Sequence, residues 1–132
     1  MNDTDAYRAA VRLLAASDKT PAQLYARLSE KGFPDGEIKA ALSQLTKEGY
    51  LNEDALAEKT VDKLYKGFYG RGYILAYMAE KGFSAQALER AKEYMNGLDF
   101  DFSAKEYYKK LIQSGKTKAQ ALGALARRGF EE

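Results

Sequence analysis

The chain has 132 residues, with 21 basic and 19 acidic side chains, no cysteine and no histidine. This length fits one domain or a short array of small repeats, enough to bury roughly two-thirds of the unfolded surface. Without cysteine the chain cannot form a disulfide, a thiolate zinc site or a thiol nucleophile. Without histidine it lacks the side chain that most often serves as a general base and as a metal ligand. We therefore predict a protein that is not an enzyme and that has no cofactor or metal.

Apolar side chains recur with the 3.6-residue period of amphipathic helices along almost the whole chain, and strand signals are absent. The pattern predicts a first helix over about residues 4–16, a second from Pro21 to about residue 31, and a third that stops near Gly49. Thr20 and Gln23 form a predicted capping box around a proline at the first helical position. Gly32 is expected to end the second helix in a left-handed conformation. These three helices are the first predicted unit, residues 1–50.

The same order of signals restarts after residue 50. Asn52 supplies a helix cap, a glycine-rich break covers residues 67–72, and helices follow over about residues 73–81 and from Ser84 onward. A third round begins at a predicted capping box that starts at Ser103, and its second helix is capped by Thr117. We predict a second three-helix unit at residues 51–98 and an incomplete third unit of two helices at residues 99–132. Its apolar positions would lack the cover of a third helix.

A six-residue signature shows that the units are repeats. Leu28-Ser-Glu-Lys-Gly-Phe33 recurs in related form at residues 78–83 and at residues 125–130, and the glycines are 50 and 47 residues apart. Helices this short are marginal alone, so tertiary packing must hold them, and repeats in series contact mainly their neighbours. The sequence therefore predicts an all-α fold in which tandem three-helix repeats form an elongated, curved array.

Positive charge is concentrated in the second half of the chain. Residues 1–58 contain 7 basic and 10 acidic side chains, whereas residues 59–132 contain 14 and 9. This asymmetry predicts a surface for an anionic partner, either nucleic acid or an acidic protein groove. The candidate contact residues are Lys59, Lys63, Lys66, Arg71, Lys105, Lys109, Lys110, Lys116, Lys118, Arg127 and Arg128.

Each cationic group also has an ordinary interpretation as a solvated helix face. For the lysines of residues 59–66, Glu58 and Asp62 are close enough in sequence to form ion pairs. Two tyrosines beside the glycine-rich break, Tyr69 and Tyr73, are candidate stacking contacts for the bases of single-stranded DNA.

The three signatures, together with Gly49-Tyr-Leu-Asn-Glu-Asp54 and Gly70-Arg-Gly72, resemble the RecX family over about residues 6–130. The resemblance implies a protein without catalytic residues that binds in the groove of the RecA filament. There it would block filament extension and restrain strand exchange, ATP hydrolysis and coprotease stimulation, and so tune DNA repair, recombination and the SOS response. The chain departs from the family pattern at its end, where the last unit has no third helix.

Two other functions stay open on the sequence alone: a helical DNA-binding protein that competes for the strand, and a general helical adaptor. The partners expected are the RecA filament and, in addition, single- or double-stranded DNA. The acidic N-terminal residues and the lack of a long apolar run predict a cytoplasmic protein with no membrane contact. The absence of a long apolar seam predicts a monomer.

Overall fold

The computed structural model describes residues 5–130, and all regular secondary structure in that range is helical. The predicted all-α fold is thus confirmed. Residue 4, the predicted start of the first helix, lies outside the described residues. The helices are α1 (Asp5–Ala16), α2 (Pro21–Glu30), α3 (Asp35–Lys47), α4 (Glu53–Lys66), α5 (Arg71–Glu80), α6 (Ala85–Met95), α7 (Phe100–Gln113) and α8 (Lys118–Arg127). None of these helices is long and apolar enough to cross a membrane.

Helices α1, α2 and α3 pack around one apolar core. Leu24 and Leu28 of α2 and Leu45 of α3 are completely buried in it, and the small Ala9 and Ala10 of α1 allow the other helices to approach closely. The predicted capping box at the start of α2 is present, since Thr20 and Gln23 exchange hydrogen bonds of 3.0 and 2.9 Å. The chain leaves α2 through a residue in the left-handed region, Gly32, as the sequence predicts.

Helices α4, α5 and α6 form a second core of the same kind. Val61, Ile74, Met78 and Met95 are completely buried there. The starts of α4 and α6 are joined through one carboxylate, because Glu53 accepts hydrogen bonds of 2.8 Å from both the backbone N–H and the hydroxyl of Ser84, the N-cap of α6.

Helix α7 begins earlier than the sequence suggests. Its N-cap is Asp99, whose carboxylate accepts a 2.9 Å hydrogen bond from the N–H of Phe102. Ser103 therefore lies within the helix and is buried, and its Oγ has no hydrogen-bond partner among residues 5–130. The predicted capping box at Ser103 is wrong, because an aspartate four residues upstream caps the helix first.

Helix α5 also begins before its predicted start, at Arg71, because Gly70 serves as its N-cap. Helices α7 and α8 pack on each other, and Ala121 is the one α8 residue in the described range that is fully buried. Leu122 of α8 stays 50% exposed and Phe102 of α7 stays 56% exposed. Helices α7 and α8 therefore carry three of the five large apolar side chains that are exposed in the described range, Phe102, Ile112 and Leu122.

Candidate partner-binding surfaces

A cleft of about 760 Å³ lies between the first two groups of helices. It is bordered on one side by the start and middle of α2 and on the other by α4 and the end of α5. Its charged lining is strongly unbalanced, with five cations and one acid. These residues are Asp18, Lys19, Arg27, Lys59, Lys63 and Lys81.

Two of the five cations have partners inside the protein. Lys19 is only 9% exposed, and its Nζ donates to the carbonyl oxygen of Leu13 at 3.0 Å and to the hydroxyl of Ser17 at 2.8 Å. It thus neutralises the negative end of α1. Lys59 forms a 2.6 Å ion pair with Asp18, which bridges the first two groups of helices.

The other three cations of the cleft have no ion pair within the described range: Arg27, Lys63 and Lys81. The ammonium of Lys81 lies 5.3 Å above the ring of Tyr77, which leaves it directed along the cleft wall. We name these three residues the cleft cations. Of the three, the sequence predicts only Lys63 as a contact residue. Arg27 and Lys81 were missed, because they come close to Lys63 only through tertiary packing.

Two acidic residues of α4 that could pair with the lysines of the same helix contact side chains of α6 instead. Glu58 pairs with Arg90 at 2.9 Å, and Asp62 accepts hydrogen bonds of 2.8 Å from the hydroxyl of Tyr94. The bond to the carboxylate raises the pKa of Tyr94 above its ordinary value of 10.0. Neither acid is therefore paired with the α4 lysines, which leaves Lys63 exposed on the cleft and Lys66 exposed beyond it.

A second group of side chains joins the third helix pair to the second group of helices. The guanidinium of Arg128 lies 4.3 Å from the ring centre of Tyr69 and 4.8 Å from that of Tyr107. It also donates a 2.8 Å hydrogen bond to the carbonyl oxygen of Gly67. The ring of Phe68 stacks on Tyr107 at 5.4 Å between centres. We name Phe68, Tyr69, Tyr107 and Arg128 the junction cluster.

Phe68 adopts an unusual backbone conformation for its residue type. Its φ of 65° lies in the left-handed region, where the corresponding helix-end residues of this chain are glycines such as Gly32 and Gly82. A side chain in this region costs roughly 1–2 kcal/mol. The stacking on Tyr107 offsets that cost, and Lys110 lies 5.7 Å above the same ring. Phe68 and Tyr107 were not among the predicted site residues; the signal at Phe68 was a bulky residue in the position that Gly115 occupies after α7.

Three predicted contact residues beside the glycine-rich break are engaged inside the protein. The rings of Tyr69 and Tyr73 stack at 4.2 Å and are half-buried. Arg71 donates a 2.7 Å hydrogen bond to Asn96 and its guanidinium lies 5.7 Å above the ring of Phe100. These groups hold α5 against its neighbours, and all three residues are half-buried.

The remaining predicted cations line the outside of α7 and α8. All but one of them are free of ion pairs within residues 5–130, and the exception is Lys109, which pairs with Glu106 at 3.3 Å. Lys116 and Arg127 border the groove between the two helices. The exposed members of this α7–α8 basic face are Lys105, Lys109, Lys110, Lys116, Lys118 and Arg127.

The helices and their recurring signature define an all-helical repeat protein. A family model described as "RecX, first three-helix domain" matches residues 6–45. The Regulatory protein RecX of Syntrophotalea carbinolica is 29% identical over 96% of this chain and 89% of that protein. The Regulatory protein RecX of Trichlorobacter lovleyi is 38% identical over 54% of this chain and 47% of its own length.

Solved structures show the same fold. The crystal structure of RecX from Lactobacillus salivarius aligns with a TM-score of 0.77 at 15% identity, over 96% of this chain and 86% of that one. A second structure, described as regulatory protein RecX, aligns with a TM-score of 0.74 and is covered over 66% of its length. The resemblance of this chain to the RecX family is therefore confirmed.

Proposed function

We propose that this chain is a regulator of the RecA recombinase that binds the RecA filament and limits its extension, ATP hydrolysis and strand exchange. The relationship to proteins named regulatory protein RecX supports this role. The observation that carries it is the cleft between the first two groups of helices. Its three cleft cations have no carboxylate partner among residues 5–130 and lie in a cleft that an anionic segment can enter.

The cleft is suited to recognition by charge and shape together. Arg27, Lys63 and Lys81 come from three different helices or helix ends, so a partner that contacts all three must bridge both groups of helices. Low-dielectric walls on both sides focus the positive field more than an open helix face does. Binding there would fix the register of the protein on a repetitive partner, which is what blocking of a filament requires.

The α7–α8 basic face favours a second function, which is direct binding to DNA with inhibition by competition. Its cations are exposed and outnumber the acids, since residues 102–130 contain seven basic residues and only Glu106 as an acid. An open face of this kind binds the phosphate backbone without regard to sequence and with a strong dependence on salt. The two functions use different surfaces, so substitutions can separate them.

The test is the DNA-dependent ATPase rate of cognate RecA on single-stranded DNA during titration with this protein. Inhibition at well below one molecule per RecA supports filament blocking. The triple variant Arg27→Gln, Lys63→Gln, Lys81→Gln should then need at least about tenfold more protein for the same inhibition, if each lost charged contact contributes roughly 0.5–1 kcal/mol. The matched control is the triple variant Lys105→Gln, Lys109→Gln, Lys118→Gln, which should inhibit like the unmodified chain.

The reverse pattern would support the DNA-binding function. In that case inhibition begins only when the protein saturates the DNA, and the α7–α8 variant is the weak one. For direct binding to single-stranded DNA, the slope of log K against log salt concentration should then become less steep by about 0.7 for each phosphate contact removed. No inhibition by the unmodified chain at any ratio would contradict both functions. Arg128 is excluded from either variant because the junction cluster depends on it.

A further inference from the structure

The second helices of successive repeats meet end to end, and at each junction the N-cap residue of one helix donates a hydrogen bond to the carbonyl oxygen of the C-cap residue of the other. At the first junction the hydroxyl of Thr20, the N-cap of α2, donates a 3.0 Å hydrogen bond to the carbonyl oxygen of Lys81, the C-cap of α5. Thr20 is 1% exposed as a result. Gly82 follows that C-cap, and a Cβ on it would lie 3.1 Å from the Cβ of Ala22.

The second junction brings the same two helix ends together one unit further along, but the donor there is a backbone N–H instead of a hydroxyl. Gly70, the N-cap of α5, donates its backbone N–H to the carbonyl oxygen of Arg128, the C-cap of α8, at 2.6 Å. A Cβ on Gly70 would lie 2.4 Å from the backbone of Gly129, and a Cβ on Gly129 would lie 2.4 Å from the N of Tyr73. Each junction therefore places an N-cap against the basic-Gly-Phe signature of the following unit, and a side chain at the glycine would be tightly packed at Gly82 and would overlap backbone at Gly129.

The N-terminal end of α8 and the C-terminal end of α2 resemble the two sides of such a junction but have no partner helix among the described residues. We call them the Thr117 half and the Lys31 half. The N-cap of α8 is Thr117, which is exposed, and its hydroxyl accepts a hydrogen bond from Gln120 but donates none within residues 5–130. At the other end of the array, Lys31 is the exposed C-cap of α2. A Cβ on the next residue, Gly32, would meet nothing within 4 Å.

The uncovered halves match the two partners of the first junction in both sequence and geometry. Residues 117–120 are Thr-Lys-Ala-Gln where residues 20–23 are Thr-Pro-Ala-Gln, and residues 31–33 and 81–83 are both Lys-Gly-Phe. The backbone angles of Thr117 are φ −75° and ψ 165°, against −73° and 159° for Thr20. Those of Lys31 are −78° and −3°, against −77° and −2° for Lys81.

We propose that these halves bind each other between two copies of this chain. The hydroxyl of Thr117 in one copy donates to the carbonyl oxygen of Lys31 in the next, and Ala119 packs on Gly32 as Ala22 packs on Gly82. The contact is heterologous, because each copy offers a different surface, so it adds copies in a line rather than closing a symmetric dimer.

The contact is weaker between copies than within the chain, since covalent linkage supplies a high effective concentration at the internal junctions. The contact relies on a hydrogen bond to a backbone carbonyl and on the close approach of two helix ends, so it does not need a long apolar seam. The lack of such a seam in the sequence, which predicts a monomer, is therefore compatible with this association. Dilute protein is then monomeric and concentrated protein associates. The proposal does not depend on RecA being the partner.

The experiment is sedimentation equilibrium of the purified full chain over a wide range of concentration. We expect the weight-average mass to rise from 14.7 kDa with no plateau at twice that value. Ala119→Arg blocks one half, and Gly32→Asn blocks the other while keeping a residue that tolerates the left-handed conformation. Each should weaken association at least about tenfold, because the added side chain fills the space of contact.

A mixture of the two blocked variants gives the sharpest result. One variant keeps a working Lys31 half and the other keeps a working Thr117 half, so the mixture should associate and stop at two copies. Ala126→Arg, at another exposed position of α8, is the matched control and should behave as the unmodified chain does. Circular dichroism establishes that all three variants are folded. The proposal is overturned if the unmodified chain stays at the monomer mass throughout, if neither blocked variant weakens association, or if the mixture fails to associate.

Discussion

Replacing Arg128 with methionine should release the end of α8 from the rest of the protein. The substitution keeps an unbranched side chain but removes a 2.8 Å hydrogen bond to the Gly67 carbonyl and two contacts with aromatic rings. With about 1 kcal/mol for the hydrogen bond and about 0.5 kcal/mol for each ring contact at a partly exposed site, the loss is about 2 kcal/mol.

The assay is hydrogen exchange of the α8 backbone amides, which reports local opening. A loss of about 2 kcal/mol accelerates exchange roughly 30-fold when opening and closing are fast compared with the chemical exchange step, because the rate then follows the opening equilibrium. Arg127→Met is the control, because its side chain is exposed and has no ion pair within the described range, so exchange in α8 should change little. Equal acceleration in both variants, or none in Arg128→Met, would refute the reasoning that Arg128 holds this junction together.

Two further predictions concern hydrogen bonds made by Thr20 and Tyr25 of the first repeat, with Thr117 of the last unit as a comparison. Thr20→Val removes both a helix cap and the hydrogen bond across the first junction, whereas Thr117→Val removes only a cap, so urea denaturation should show losses of about 2 and about 1 kcal/mol respectively. Equal losses would mean that the junction bond contributes nothing. Asp35 accepts a hydrogen bond from the Tyr25 hydroxyl, which lowers the pKa of its carboxyl below the ordinary 3.8. The stability gained from this is complete above that value and is lost as the pH falls through the lowered pKa. Tyr25→Phe should therefore reduce the dependence of the urea midpoint on pH between about 5 and 2. An unchanged dependence would contradict the assignment.

Much of the fold follows from local sequence signals. The 3.6-residue period and the capping boxes at Thr20 and Thr117 act within one helix, so the sequence predicts them correctly. The error at Ser103 arose because two polar residues near one helix start both match a cap. The choice between Asp99 and Ser103 depends on packing of the intervening apolar residues, which a local pattern does not contain.

The candidate surfaces were predictable only in part, and the reason is geometric. Clustering of basic residues along the sequence identified the α7–α8 basic face, because those residues lie on two consecutive helices. The same signal predicts that Arg128 contacts a partner, which stays a prediction, and the structure adds that its guanidinium lies close to the rings of Tyr69 and Tyr107. The number of basic residues in a segment does not show where each side chain points. It therefore cannot distinguish a cation that joins two units from one that faces solvent.

The sequence by itself determined the helical class, the repeat and the resemblance to the RecX family, because periodicity, helix caps and a recurring signature are properties of neighbouring residues. The tertiary structure alone decided which cations share a cleft. Arg27, Lys63 and Lys81 are far apart along the chain and meet only where two units pack. It also decided that two of the three signature glycines, Gly82 and Gly129, lie at junctions between units, since close approach between helix ends depends on how separate units are placed in space.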